Sequence, residues 1–181
     1  MDIIGVRPDT YDEYFRILDP RMRRMPKALV LPHLPNKQRV RRYCELNQKQ
    51  AKAYKEIESG MVARLDNGQL IVTTNNLTQQ TRLIQFSSSH AEVNDEGHVR
   101  LTEPSSKVDV LLEVLEELGD KPVVVASESR QLIELACTRL EKNRVSWRAV
   151  TGGQTEDQRN VALNDFAAGR VRVMLFTIKA G

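Results

Sequence analysis

PVVVASESRQLIELACTRLEKNRVSWRAVTGGQTEDQRNVALNDFAAGRVRVMLFTIKAG, residues Pro122 to Gly181, decides the fold. Short β-branched runs at Val123–Ala126, Val145–Val150 and within VRVMLFT alternate with amphipathic segments long enough to cross back over a sheet. The order is strand, helix, strand, helix, strand, which makes a parallel α/β unit. Such a sheet presents its ligands at the carboxyl ends of its strands.

Each crossing helix carries its own start and stop signals. Ser127 and Ser129 are candidate caps for a helix that turns Leu132, Ile133, Ala136, Cys137 and Leu140 inward. Thr155 and Gln158 stand in capping-box register, so the second helix begins there, presents Ala162, Leu163 and Phe166 to the sheet, and ends near Gly169. Arg159 lies in its first turns, where a cation opposes the helix dipole; that placement hints at an anionic partner, while a plain surface arginine remains the alternative. Gly152 and Gly153 allow backbone to approach a ligand closely, or serve a tight turn.

Upstream, Pro104, Ser105 and Ser106 open a helix with Ser106 and Asp109 in capping-box register. Val108, Leu111, Leu112, Leu115 and Leu118 form its inner face, and Gly119 follows as its C′ residue. Asp95, Glu96, Gly97 and His98 spell the D-E-x-H of a helicase Walker B motif, whose carboxylates hold Mg²⁺. That site needs an apolar strand running directly into the Asp. SSSHAEVN precedes it instead, so the tetrapeptide reads as a hairpin turn. Asn76–Phe86 is helical with Leu77, Leu83 and Ile84 apolar. Gln48 to about Leu65 is helical behind an Asn47 cap, with Ala51, Tyr54, Ile57, Met61 and Leu65 recurring and Gly60 weakening its middle. Val40–Leu46 alternates like a strand.

Five of the seven prolines fall in residues 1–38, which reads as a connector. Inside it, Thr10–Leu18 forms a short helix with Thr10 and Glu13 as a capping box. Arg21, Arg23, Arg24 and Lys27 then form a basic patch, either a contact to nucleic-acid backbone or a partner lobe, or a solvated linker. Charge supports the division: residues 1–42 hold ten Lys/Arg against five Asp/Glu, although the whole chain carries only +3.

With 181 residues and 40% apolar content, the chain suits one core with an appendage. The expected divisions are 1–38, a connector; 39–103, a strand with a helical insertion and hairpin; and 104–181, the α/β core. Cys44 and Cys137 read as buried thiols in a reducing, intracellular and soluble setting. No apolar run approaches the ~18 residues of a membrane span, and His33, His90 and His98 show no metal-ligand spacing. No G-x-x-x-x-G-K-[ST], no Ser/His/Asp or Cys/His set and no CxxC occurs.

Five segments in order resemble a known pattern. RMRRMPKALVLPHLPNK (21–37) resembles the junction between the two RecA-like lobes of Swi/Snf-type ATPases of helicase superfamily 2, with Met25 and Pro26 departing from it. LTEPSSKVDVLLEVLEEL resembles the helix before their second lobe, PVVVASESRQLIELACTRLE motif IV, VTGGQTEDQRNVALNDFAAG the following motif, and VMLFTIKAG the start of motif V. The resemblance implies a RecA-like, P-loop NTPase-type parallel sheet with flanking helices, preceded by the helical, proline-rich basic connector. It implies the second, C-terminal lobe of a DNA-stimulated ATPase that moves along duplex DNA, cut within motif V. ATP and Mg²⁺ then belong to the complete enzyme, with the first RecA-like lobe supplied in cis or in trans, and the chain alone hydrolyses no ATP. Ser127, Gly152, Gly153, Arg159, Thr177 and Lys179 are implied nucleic-acid contacts, and Ala180 and Gly181 belong to the interlobe cleft. A non-enzymatic DNA- or partner-binding module built on the same lobe is the other reading.

Overall fold

The structure, a computed structural model, describes residues 8–23, 25, 30–31, 33, 37–65, 67–94 and 98–178. It comprises two units, Met1–Arg42 and Tyr43–Gly181, each described by itself. In the first, a 3₁₀ turn at Pro8–Thr10 leads into α1 (Tyr11–Leu18). The expected capping box does not form: Thr10 has φ −106° and ψ 5° and its side chain makes no cap bond. A cap side chain needs extended backbone at that position, and the 3₁₀ turn has already coiled it.

In the second unit, β5 (Val123–Ser127), β6 (Trp147–Val150) and β7 (Val173–Thr177) form a parallel sheet in the order β5-β7-β6. The last strand in sequence is the central one, and it is covered on both faces. Val173 and Leu175 pack with α4 (Ser106–Glu117) and α5 (Arg130–Lys142), while Met174 packs with Ala162 of α6 (Glu156–Ala167) and Val150. An uninterrupted VMLF run suits such a strand, because neither face meets water. β5 differs from the buried strand expected: Val123 and Val125 face α4 and α5, whereas Val124 is 57% exposed. α6 covers β6 and β7 and leaves that face of β5 open.

Ile133, Ala136, Cys137 and Leu140 of α5 are buried as their spacing requires, each large one stabilising by about 1.5–3 kcal/mol. In α6 the inner row is Ala162, Asp165 and Phe166, and Leu163 is 53% exposed, contrary to expectation. A charged residue holds an inward position there because Arg148 and Arg170 neutralise it, at 2.8 and 2.7 Å.

A second cluster gathers α2 (Gln48–Gly60), the hairpin β1 (Val62–Arg64) and β2 (Leu70–Val72), α3 (Asn76–Phe86), and the hairpin β3 (His90–Val93) and β4 (Val99–Thr102) around Ile57, Phe86 and Leu101. Leu132 and Leu135 of α5 pack against both clusters and join them. Asn47 caps α2, accepting from Gln50 N at 3.0 Å. The helix stops five residues short of Leu65. Met61 takes the left-handed conformation (φ 56°), and Val62–Arg64 turns to pair with Leu70–Val72, so Leu65 enters the core from beyond a strand and Gly60 ends the helix instead of weakening its middle. In α3, Leu77 and Ile84 are exposed, and the inner positions are Gln79, Leu83 and Phe86; Gln79 Nε2 donates to Ile57 O at 2.8 Å, a carbonyl in the last turn of α2. Val40–Leu46 forms no strand, and Val40 and Tyr43 are 77% and 87% exposed. Alternation makes a strand only where a neighbour completes the ladder.

Ser105, not Ser106, caps α4: its Oγ accepts from Val108 N at 3.4 Å and donates to Ser88 O at 2.8 Å. Ser106 is claimed by the fully buried Gln50, whose Oε1 accepts from Ser106 Oγ at 2.9 Å and from Ser106 N at 3.2 Å. Asp109 is drawn to Arg139 at 2.7 Å.

Candidate nucleic-acid interface

The carboxyl ends of the three strands hold Ser127 and Thr177 and lead into the Gly152–Gly153 turn. Ser127 and Thr177 are register partners on the last rung between β5 and β7, and Val150 stands opposite Phe176 on the other side. Ile178 N donates to Ser127 O at 3.0 Å, carrying the ladder one bond further. Ser127 Oγ accepts from Ser129 N at 3.1 Å, and Ser129 caps α5, accepting from Leu132 N at 3.2 Å. Of the two expected caps Ser129 is the one that forms, while Ser127 closes a turn onto the cap residue and keeps its hydroxyl proton to donate. Thr177 is buried, at 7% exposure.

From β6 the chain turns through Thr151, Gly152 and Gly153 into α6. Thr155 and Gln158 close the expected capping box, with Gln158 N donating to Thr155 Oγ1 at 3.3 Å and Thr155 N to Gln158 Oε1 at 3.1 Å. Gln154 holds the turn beneath: its Oε1 accepts from Thr151 N at 3.0 Å and its Nε2 donates to Ala149 O at 3.1 Å. Gly153 has φ +91°, a conformation in which a side chain is strained. A Cβ at Gly152 or Gly153 would meet nothing within 4 Å, so neither glycine makes room for the protein itself. Among the described residues neither glycine's amide has an internal acceptor. Arg159, one turn into α6, is half-buried, and its Nε is buried without a hydrogen-bond partner. A buried donor left unpaired needs an explanation, and an outside acceptor is one.

The sequence reading missed Arg130, the first residue of α5, whose Nη1 donates to Gly152 O at 3.3 Å. The signal was available, since a cation in a helix's first turn opposes the dipole just as at Arg159. Lys179, Ala180 and Gly181 lie outside the described residues, as do Arg24 and Lys27 of the basic patch. Arg21 and Arg23 are exposed in the first unit, where Arg21 Nη1 donates to Ile17 O at 3.2 Å near the end of α1.

The D-E-x-H tetrapeptide is flanked by the two strands of a hairpin. Val93 pairs with Val99 across antiparallel β3 and β4, Asn94 N donates to His98 O at 2.9 Å, and His98 N donates to Asn94 Oδ1 at 2.7 Å. Residues 95–97 themselves lie outside the described residues, but the strands flanking them are antiparallel, not a parallel strand delivering an Asp to a sheet edge. Among the described residues no three His, Cys, Asp or Glu side chains converge to hold a metal. Also among them, no helix is long and apolar enough to cross a membrane. Cys44 and Cys137 are free thiols, half-buried and buried. Burial, then the Glu134 carboxylate, pushes the Cys137 thiol up to about 12. A cavity of about 430 Å³ lies at the amino ends of the strands, by Pro122, Ser146 and Arg172, away from this edge.

Residues 106–181 match the helicase conserved C-terminal domain. The zebrafish (Danio rerio) chromodomain-helicase-DNA-binding protein 1-like is 26% identical over 186 residues, covering 98% of this chain. The chain spans 18% of the length of that relative. A rice (Oryza sativa) DEAD-box ATP-dependent RNA helicase 21 is 30% identical over 84 residues, covering 46% of this chain and 11% of its own length. Among solved structures, the C-terminal part of the Fun30 ATPase domain superposes with a TM-score of 0.57 at 17% identity, over 82% of this chain and 71% of that one. The Sulfolobus solfataricus SWI2/SNF2 ATPase C-terminal domain gives 0.53 at 18% identity, over 75% and 61%. These two likenesses establish the RecA-like fold of the sheet and its helices.

Proposed function

We propose that residues 106–181, which match the helicase conserved C-terminal domain, form the second lobe of a Swi/Snf-type ATPase of superfamily 2, and that the chain serves an ATP-dependent DNA helicase or translocase, its sheet edge gripping the DNA backbone. One observation carries this reading: the strand ends hold Ser127 and lead into the two unbonded glycine amides, and the half-buried Arg159 stands in the first turns of the helix that follows those glycines. Hydroxyls, backbone N–H groups and a guanidinium suit phosphate oxygens, which position nucleic acid without reading its sequence. Thr177 extends the same edge, Lys179 is assigned a further phosphate contact and Ala180 and Gly181 an interlobe role in this proposal, and the Arg21 and Arg23 patch adds backbone contacts of its own. DNA is favoured over RNA because the relative matched along nearly the whole chain is named for DNA binding.

In the complete enzyme, whose first lobe comes in cis or in trans, ATP with Mg²⁺ would supply the phosphoryl transfer of a cycle in which the lobes open and close around the nucleotide. This chain's residues hold and orient the nucleic acid, and by itself the chain hydrolyses no ATP. A non-enzymatic DNA- or partner-binding module built on the same lobe is the second reading, favoured by the antiparallel strands that flank the D-E-x-H segment.

The test titrates the full chain against labelled duplex DNA and single-stranded RNA over a range of salt. Each phosphate contact contributes a slope of about −0.9 for B-DNA. Arg159→Ala is expected to weaken duplex binding and reduce the slope by about one. A shallow slope unmoved by Arg159→Ala and Thr177→Ala would refute the phosphate roles, and tighter RNA binding would overturn the choice of DNA. DNA-stimulated ATP hydrolysis by the purified chain would overturn its inactivity alone; activity regained only with a first lobe added separates the two readings.

A further inference from the structure

Arg130 opens α5 immediately after its Ser129 cap. A cation there works against the helix dipole, and its pairing with Glu134 runs in the less favourable order along a helix. Stability therefore gives no account of this arginine. Its contacts do: Nε donates to Glu134 Oε1 at 2.8 Å while Nη1 donates to Gly152 O at 3.3 Å. The guanidinium fork is held at one side and reaches the turn with the other.

Gly152 O and Gly153 N–H belong to one peptide unit. In a planar trans peptide the C=O and N–H point in opposite directions, so drawing the carbonyl toward α5 turns the Gly153 N–H away from it. Gln154 fixes the flank of the same turn through Thr151 N and Ala149 O. The result is an amide without an internal acceptor whose direction is set before any ligand arrives. We propose that Arg130, oriented by Glu134, is a positioning residue that locks the Gly152–Gly153 peptide and presents the Gly153 N–H to a DNA phosphate. This rests on the DNA-backbone reading above.

The test uses the full chain with Arg130→Ala, Arg130→Lys and, as a reference, Arg159→Ala, each titrated with a labelled mixed-sequence duplex over a salt series. Arg130→Ala is expected to weaken binding roughly three- to tenfold, the range of one ordinary hydrogen bond made less well, with an unchanged salt slope because no phosphate contact is removed. Arg130→Lys is expected to weaken it equally, since a point-charge ammonium cannot hold Glu134 and Gly152 O together. The thermal midpoint stays put, and the Gly153 amide resonance, shifted by DNA in the wild type, shifts less in both variants. A slope lowered by about one in Arg130→Ala with full affinity in Arg130→Lys would make Arg130 a direct phosphate contact and overturn the positioning role. Unchanged affinity in Arg130→Ala, with Arg159→Ala weakened, defeats the clamp alone; unchanged affinity in both defeats the underlying interface.

Discussion

Gln131 pairs with the backbone of Leu101 as a neighbouring strand would: its Oε1 accepts from Leu101 N at 2.6 Å, and its Nε2 donates to Val99 O at 3.3 Å. β4 is paired on one side only, to β3, and the first turn of α5 supplies the bonds on the other. The same turn carries Arg130, which reaches Gly152, so one helix end ties the hairpin cluster to the sheet edge.

Gln131→Leu keeps the volume but removes the acceptor, leaving the part-buried Leu101 N–H unpaired. Such a loss costs about 1–3 kcal/mol. A urea midpoint lowered to match, with an unchanged m-value, is the expected result. An unchanged midpoint would mean that solvent takes over the Leu101 N–H.

Asp165 gives the chain an acid-sensitive point. The Arg170 hydrogen bond first, and then Arg148, hold its carboxyl below the usual range against the opposing effect of burial. A carboxylate with a depressed folded-state value contributes stability that is complete above its unfolded value of about 4 and is lost as pH falls through the lower folded value. Asp165→Asn should lower the thermal midpoint at pH 7 and shrink the gap between variant and wild type in strongly acidic solution. A gap that stays constant from pH 7 to pH 2 would show that the two arginines do not act through its charge.

The α/β alternation, the Thr155–Gln158 capping box, the Ser129 cap and the inner face of α5 were legible because each is local, set by residues within four positions. What escaped depended on partners far along the chain. Ser106 looks like a cap until buried Gln50, 56 residues away, claims it. Leu65 keeps helical spacing, but the chain leaves the helix at Met61 because a second strand at Leu70–Val72 is there to pair with it. Leu163 fits an apolar period that Asp165 breaks once two arginines neutralise it. At the site, glycines and hydroxyls at strand ends showed in the sequence, and so did the cation at Arg130 in a first helical turn, whereas its partner did not, because Gly152 lies 22 residues away across the sheet edge.

The two cysteines should separate in reactivity. The thiolate is the nucleophile, and burial pushes the Cys137 thiol up to about 12. Native protein treated with iodoacetamide at pH 8 should be modified at Cys44 and spared at Cys137, with both modified in urea. Native-state modification of Cys137 at a comparable rate would show that α5 opens readily from the sheet.

Gly152→Ala separates the demands of the fold from those of a ligand. Gly152 lies outside the positive-φ region, and a Cβ there meets nothing within 4 Å, so alanine introduces neither strain nor a clash. It also narrows the unfolded ensemble, which stabilises by roughly 0.4–1 kcal/mol where the native backbone is compatible. The thermal midpoint should hold or rise. Gly153→Ala is the contrasting change, because φ +91° forces a strained conformation worth about 1–3 kcal/mol, and its midpoint should fall. Duplex binding by Gly152→Ala should nonetheless weaken, since the added methyl stands beside the peptide whose N–H is offered to phosphate. Wild-type affinity in this well-folded variant would mean that no phosphate approaches the turn, and would move the interface to Ser127 and Arg159.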